Sequence, residues 1–265
     1  MSIEKTSPIG FFDSGVGGLS VLAKFRAVLE NENILYFGDL KNLPYGNKSK
    51  TELVGFAQNI LDFFESKNVK AVVIACNTSS ALAYESIKNK YNFKIYPIIQ
   101  SCAKKISNMG FSTIGVFATQ GTIFTHAYKN EINKYDKNIN VIEIACPNWV
   151  EIVEGIESNI DEHFDLKTKC SEMLKYNPQK IILGCTHYPY LIDKLTEFVP
   201  REMFINPSEI FVDFIKEDLE KSNLLNPTIQ KGTEEFFVSA RQEDFVKNAQ
   251  IFYQIKQNPQ IINLA

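Results

Sequence analysis

Two cysteines in this sequence stand where an apolar run gives way to polar residues. Cys76 ends "KAVVIAC" and precedes Asn77, Thr78 and two serines, while Cys185 ends "KIILGC" and precedes Thr186 and His187. Each run reads as a strand passing into a helix. Each thiol is therefore expected at a strand's carboxyl end, beside the first amides of a helix, a setting that lowers a thiol's pKa below its reference of about 8.5. Three chemistries suit such a pair. A phosphatase-type thiolate needs an Arg to close the phosphate loop that follows it; the corresponding positions are Leu82 and Leu191, and that reading fails. A catalytic zinc could take Cys76, Cys185 and His187 as a Cys₂His donor set. In the third, two opposed thiols exchange a proton at carbon, one removing it from one face and the other returning one to the opposite face. The residues alone leave the last two open.

Two further segments could serve such a site. "FFDSGVGGLSVL" (11–22) is a strand, a Gly-rich turn and a helix starting near Leu19. Its exposed amides would suit an anion, but it is neither a dinucleotide fingerprint nor a Walker loop. Asp13, at the strand end, suits a ligand amine or a neighbouring group that needs orienting. "GDLKNLPYGNKS" (38–49) reads as a loop entering a helix through Ser49 or Thr51, and its Tyr45 and Gly46 could offer hydroxyl and backbone donors to a carboxylate.

The elements that must position these residues alternate regularly. Strand patterns occur at 8–13, 33–39, 70–76, 94–99, 112–118, 139–145 and 180–185. Between the second and third, apolar residues at 53, 56, 57, 60, 61 and 64 have the spacing of a helix with one buried face. Nearly all-apolar strands alternating with helices predict parallel sheets covered on both sides, with ligands beyond the strands' carboxyl ends. "NVKAVVIAC" (68–76) and "NPQKIILGC" (177–185) match in length, in their first Asn and in their last Cys. The expected fold class is therefore α/β: two similar halves with mainly parallel sheets, and an active site in the cleft between them. Residues 1–98 with 211–265 would form the first domain, completed by the strand-to-helix pattern "FFVSARQEDF", and residues 99–210 the second.

Composition bounds the setting. With 265 residues, 45% hydrophobic and 22% charged, the chain can bury a sizeable core as an ordinary globular protein. A net charge of -3 with scattered basic residues gives no electrostatic reason to expect nucleic acid or anionic membrane. "MSIEKTSPIGFFDSG" lacks the unbroken apolar core of a signal peptide, so a cytoplasmic location is expected. The five cysteines, at 76, 102, 146, 170 and 185, are spaced as free thiols.

"FFDSGVGGLSVL", "GDLKNLPYGNKS", "VVIACNTSSALA", "IGVFATQGTI", "ACPNWVEIVE" and "IILGCTHYPYL", in this order, closely resemble the cofactor-independent glutamate racemases of bacteria, within the wider aspartate and glutamate racemase group. The resemblance runs from about Phe11 to Pro207 and continues more weakly through "FFVSARQEDF". It implies an isomerase that interconverts L- and D-glutamate and supplies D-glutamate for peptidoglycan synthesis. Cys76 would take the Cα proton from D-glutamate, assisted by Asp13. Cys185 would take it from L-glutamate, assisted by Glu154 and His187. The substrate contacts implied are Asp13, Ser14, Tyr45, Gly46, Asn77, Thr78, Thr119, Thr122, Thr186 and His187. No metal or cofactor is implied, and a homodimer is. The chain departs from the family pattern at 98–104, at Ala118, where Gly is frequent, and at Ala240-Arg241, where Gly-Asp is frequent. These departures bear on cleft shape and subunit contacts, and none removes a proposed catalytic residue.

Overall fold

A computed structural model of the chain describes residues 4–155 and 159–264; the ends of the expected first domain, residues 1–3 and 265, and residues 156–158 of the second lie outside them. The apolar runs form strands because both their faces are covered. Ile9–Asp13 (β1), Ile34–Gly38 (β2) and Ala71–Ile74 (β3) are buried at every residue. They are followed by Lys94–Pro97 (β4), Thr113–Ala118 (β5), Asn140–Ala145 (β6), Lys180–Gly184 (β7), Phe204–Ile205 (β8), Glu234–Val238 (β9) and Gln260–Ile261 (β10). Two sheets result, in the orders β10-β9-β2-β1-β3-β4 and β6-β5-β7-β8. Every pairing is parallel, as continuous apolar strands require. β9 returns from late in the chain to lie beside β2 in the first sheet. The two-residue strands β8 and β10 are too short to carry a sequence pattern.

The helix read between β2 and β3 spans Lys50–Ser66. It is opened by a capping box between Ser49 and Glu52, and it buries Leu53, Ala57, Ile60, Leu61 and Phe64. The strand read over 94–99 is shorter than expected, because Ile98 and Ile99 begin a helix, Ile98–Ser107. Ser80 Oγ accepts the Ile98 N–H at 3.1 Å, and Ile98, Ile99, Cys102, Ala103 and Ile106 make a buried stripe at helical spacing. That stripe packs against the helices Ala127–Asn133 and Pro207–Lys221, joining side chains from around both sheets in one apolar cluster.

The short echo in the sequence has a structural counterpart. Asn68 and Asn177, which open the two matching segments, both take the left-handed conformation, at φ 53° and 50°. Asn tolerates that region better than most residues, and each one turns the chain from a helix into the following strand.

At the amino ends of the first sheet's strands, Lys70 and Glu32 form a fully buried ion pair. Lys70 Nζ also donates to the carbonyls of Lys5 and Leu224, and Glu32 Oε1 accepts the Asn226 N–H at 2.8 Å. Removing one partner strands the other charge without water, at about 3–5 kcal/mol. Lys70→Met is therefore expected to lower the unfolding free energy by about that amount in urea denaturation. The double variant Lys70→Met/Glu32→Gln, which buries no unpaired charge, should recover much of the loss.

Candidate active site

Strand register brings the sequence-identified residues together. Phe12 pairs with Ile74, and the Ala75 N–H bonds to the Phe12 carbonyl at 3.0 Å, so Asp13 and Cys76 leave the first sheet side by side. In the second sheet Ala118 pairs with Gly184, so Thr119 and Cys185 also emerge as neighbours. Both carboxyl ends open on one cavity of about 400 Å³, lined from the two sheets by Ser14, Tyr45, Cys76, Asn77, Thr78, Thr119, Cys185 and His187 among others.

Cys76 caps the helix Asn77–Leu82, and its Sγ accepts the Ser79 N–H at 3.5 Å. The helix terminus does not lower this thiol as its position in the sequence suggests. Burial, and after it the charge of Asp13, push it up to about 12, outweighing the Ser79 contact. Cys76 is thus held protonated. Cys185 differs in its mounting: Pro189 lies in a 3₁₀ turn, Tyr188–Leu191, where the sequence suggested a regular helix. His187 Nδ1 stands 3.8 Å from Cys185 Sγ, and His187 Nε2 is 2.9 Å from Glu154 Oε1.

Glu154 is the last residue of the helix Trp149–Glu154, which Gly155 ends in the left-handed conformation. Trp149 anchors that helix between Phe117 and Tyr188, with its indole N–H on Asp165 at 2.9 Å. Glu154 consequently points into the cleft, its side chain only 10% exposed. Burial opposes a charge on His187, but Cys185 and Glu154 together prevail and hold the imidazole up to about 10. His187 is an imidazolium over the neutral range.

The Gly-rich turn receives an anion, and the anion is the protein's own. Asp13 is completely buried; its Oδ1 accepts the Gly15 N–H at 3.1 Å, and the Gly18 amide and the Thr186 hydroxyl also bond it. Burial raises its pKa, against the opposing pull of His187 and these donors. The glycines are required by close approach. A methyl at Gly17 would come within 2.4 Å of His187 Cε1 and Thr186 Oγ1, and one at Gly18 within 2.5 Å of Asp13 Cβ.

The remaining expected residues divide into lining and support. Ser14, Gly46, Thr186 and Glu154 line the cavity, whereas Asp13 and Thr122 stand behind it. Thr78, Thr119 and Thr122 form a row of hydroxyls, 3.0 and 3.2 Å apart, that crosses from one half to the other. The Tyr45 hydroxyl is already committed to Asp39, which also takes the Asn42 amide at 2.9 Å; Tyr45 and Gly46 thus offer the cavity their backbone only. Among the described residues no group of three His, Cys, Asp or Glu side chains is arranged to hold a metal, since His187 is turned to Cys185 and Glu154. Sequence reasoning placed Arg241 only among the departures from the family pattern and did not count it as a site residue; it follows β9 and lines the cavity, its guanidinium bonded to the Leu40 carbonyl. The same strand-end rule that located the cysteines could have found it. It also missed Tyr128, whose hydroxyl donates to Asn77 Oδ1 at 2.7 Å.

His187 makes stability pH-dependent. Its pKa is about 6.5 in the unfolded chain and about 10 when folded. Its contribution is therefore complete below pH ~6.5 and declines until it is lost as pH rises through ~10. Urea midpoints measured from pH 6 to 10 should fall more steeply for the native protein than for His187→Gln.

Comparison with known proteins bears on this site. Residues 17–214 match the model of the Asp/Glu/Hydantoin racemase family. The chain is 38% identical over 247 residues to a glutamate racemase of Thermoanaerobacter sp. (strain X514), covering 92% of each protein. It is 36% identical over 251 residues to one of Fusobacterium nucleatum, covering 94% of this chain and 95% of that one. Among solved structures, the Francisella tularensis glutamate racemase in complex with D-glutamate superposes with a TM-score of 0.90 at 33% identity, over 98% of each chain. With two thiols at the ends of parallel strands facing one cleft, and relatives that share nearly its whole length, this chain belongs to the Asp/Glu/Hydantoin racemase family.

Proposed function

We propose that the protein interconverts L- and D-glutamate by moving a proton at Cα between Cys76 and Cys185. The observation that carries this reading is that thiols mounted on separate sheets line one cavity, each backed by its own proton-handling group. The glutamate racemases to which the chain is similar, one of them with D-glutamate bound, support the choice of substrate.

An α-proton is weakly acidic, and its loss leaves charge beside a carboxylate. Without an electron sink, that charge must be met by fixed dipoles in a site that excludes water. The side chains of Asn77, Thr78, Thr119 and Thr186 and the backbone of Tyr45 and Gly46 are the donors at hand. The two thiols must also begin each direction in opposite protonation states. With L-glutamate, Cys185 takes the α-proton as a thiolate beside the His187 imidazolium, while Cys76, held protonated, delivers a proton to the other face. With D-glutamate, the Cys76 proton first moves to Asp13, whose raised pKa makes it a better acceptor, and His187 returns a proton through Cys185. The reading needs no cofactor. A cytoplasmic location, a homodimer and D-glutamate destined for peptidoglycan accompany it, supported by the family resemblance.

The test uses circular dichroism with deuterium detection. Purified protein with D-glutamate in D₂O and no added cofactor should lose ellipticity and gain one deuterium per inversion. Cys76→Ala and Cys185→Ala should each abolish both signals; full activity in either variant would refute the proposal. Glu154→Gln, which removes the carboxylate behind His187, should lower kcat by roughly 10- to 100-fold. D-Aspartate in the same assay distinguishes a preference for the shorter substrate.

A further inference from the structure

Asn77 and Tyr128, which come from the two halves of the fold, are joined by a hydrogen bond beside the cavity, and together they set a polarity. Tyr128 belongs to the helix Ala127–Asn133 and has no solvent exposure, so its hydroxyl proton must find a protein acceptor. It finds Asn77 Oδ1, at 2.7 Å. That bond decides which way round the Asn77 amide lies, because the oxygen is taken and the NH₂ group must face away. Asn77 is itself 3% exposed, and its Nδ2 has no protein partner. Among the described residues it is the only unpartnered buried polar atom that belongs to a residue lining the cavity. A buried amide donor without an acceptor costs about 1–3 kcal/mol, so this one is placed for an acceptor that arrives with the ligand.

From this we infer that Tyr128 is a positioning residue for racemisation: it fixes the Asn77 amide so that Nδ2 donates to the substrate's α-carboxylate. The inference rests on the racemase reading and deepens it. Asn77 follows Cys76 directly, so the carboxylate it reaches is the one beside the reacting Cα. Charge accumulates on that carboxylate as the α-proton leaves, and the hydrogen bond strengthens at that moment. Tyr128 also ties this donor to the opposite thiol's mount. Its ring packs on Gly184, where a methyl would come within 2.9 Å of Tyr128 Cε2, and Gly184 immediately precedes Cys185. One side chain thus spans both cysteine arms, its ring on one and its hydroxyl on the other.

Tyr128→Phe keeps the ring and removes only the hydroxyl, freeing the amide to turn over. The experiment measures kcat and KM for D-glutamate in the native protein, Tyr128→Phe, Asn77→Ala and the double variant, with a thermal melt of each. Tyr128→Phe is expected to lower kcat by roughly 10- to 100-fold, the worth of a hydrogen bond to a charged group. In the Asn77→Ala background the same change should cost less than about twofold, because the amide it orients is gone. An unchanged kcat, or an equal loss in both backgrounds, overturns the inference. Asn77→Asp is the second variant: it still accepts the Tyr128 hydroxyl but replaces the donor with a repelling oxygen. It should lose at least as much kcat as Tyr128→Phe, and native kcat in Asn77→Asp likewise overturns the inference. Absence of glutamate racemisation by the native protein overturns the proposed function and this inference with it. Native activity with uncoupled losses overturns the inference alone.

Discussion

A carboxylate with no access to water has to be held by donors from whatever surrounds it, and Asp13 is surrounded by both halves of the molecule. Its donors are the Gly15 and Gly18 amides of its own turn and the Thr186 hydroxyl from the opposite sheet. Leaving any of these unmade would cost about 1–3 kcal/mol. The need to satisfy Asp13 therefore explains the Gly-rich sequence after β1. It explains equally why the turn must press so closely under His187 that a single methyl at Gly17 has no room. The Ser20 hydroxyl adds a bond to the Thr186 carbonyl at 3.1 Å, tying the same two surfaces together. Cys76, Asp13, Thr186, His187 and Glu154 are thereby a single electrostatic system, in which moving one charge changes the proton affinity of the next.

The two arms of that system resemble each other in sequence more than in mechanism. Each brings a thiol to a strand end after an Asn in the left-handed conformation. Beyond the thiol they diverge. Cys76 faces a short α-helix, whose Ser79 N–H favours the thiolate, and a buried carboxylate; burial and that carboxylate prevail and hold its proton on. Cys185 faces an imidazolium, itself backed by a second carboxylate, which can supply a proton and then take it back. Such asymmetry suits a pair of groups that must begin each direction in opposite protonation states. A perfectly symmetric cleft would give two thiols of equal affinity and no reason for either to act first.

Much of this was legible in the sequence because it depends on local pattern. All-apolar runs predict covered parallel strands, and parallel strands direct attention to the residues at and just beyond their carboxyl ends; Asp13 closes β1, and Cys76, Cys185, Thr119 and Arg241 follow theirs. The boundary at Pro97 was not legible, since Ile98 and Ile99 suit a strand as well as a helix, and a distant Ser80 decides between them. Nor was the state of the Cys76 thiol, because helix termini act locally whereas burial is a property of the whole fold. The Tyr45 hydroxyl was misread for a related reason. Its partner Asp39 is near in sequence, but only the folded loop turns the two toward each other. Tyr128 had no signal of its own: an aromatic on a helix reads as core, and its contact with Asn77 bridges 51 residues.

The row Thr78–Thr119–Thr122 has one further property. Each hydroxyl carries one proton and can accept as well as donate, so the row can run in either direction. Reversing it requires only rotation about C–O bonds, with no movement of any heavier atom. Mirror-image ligands that share a reacting carbon cannot also share the positions of all their other groups. A chain of rotors whose polarity inverts by bond rotation alone gives a rigid wall hydrogen bonding of either sense, which is what the proposed exchange of mirror-image ligands would ask of it.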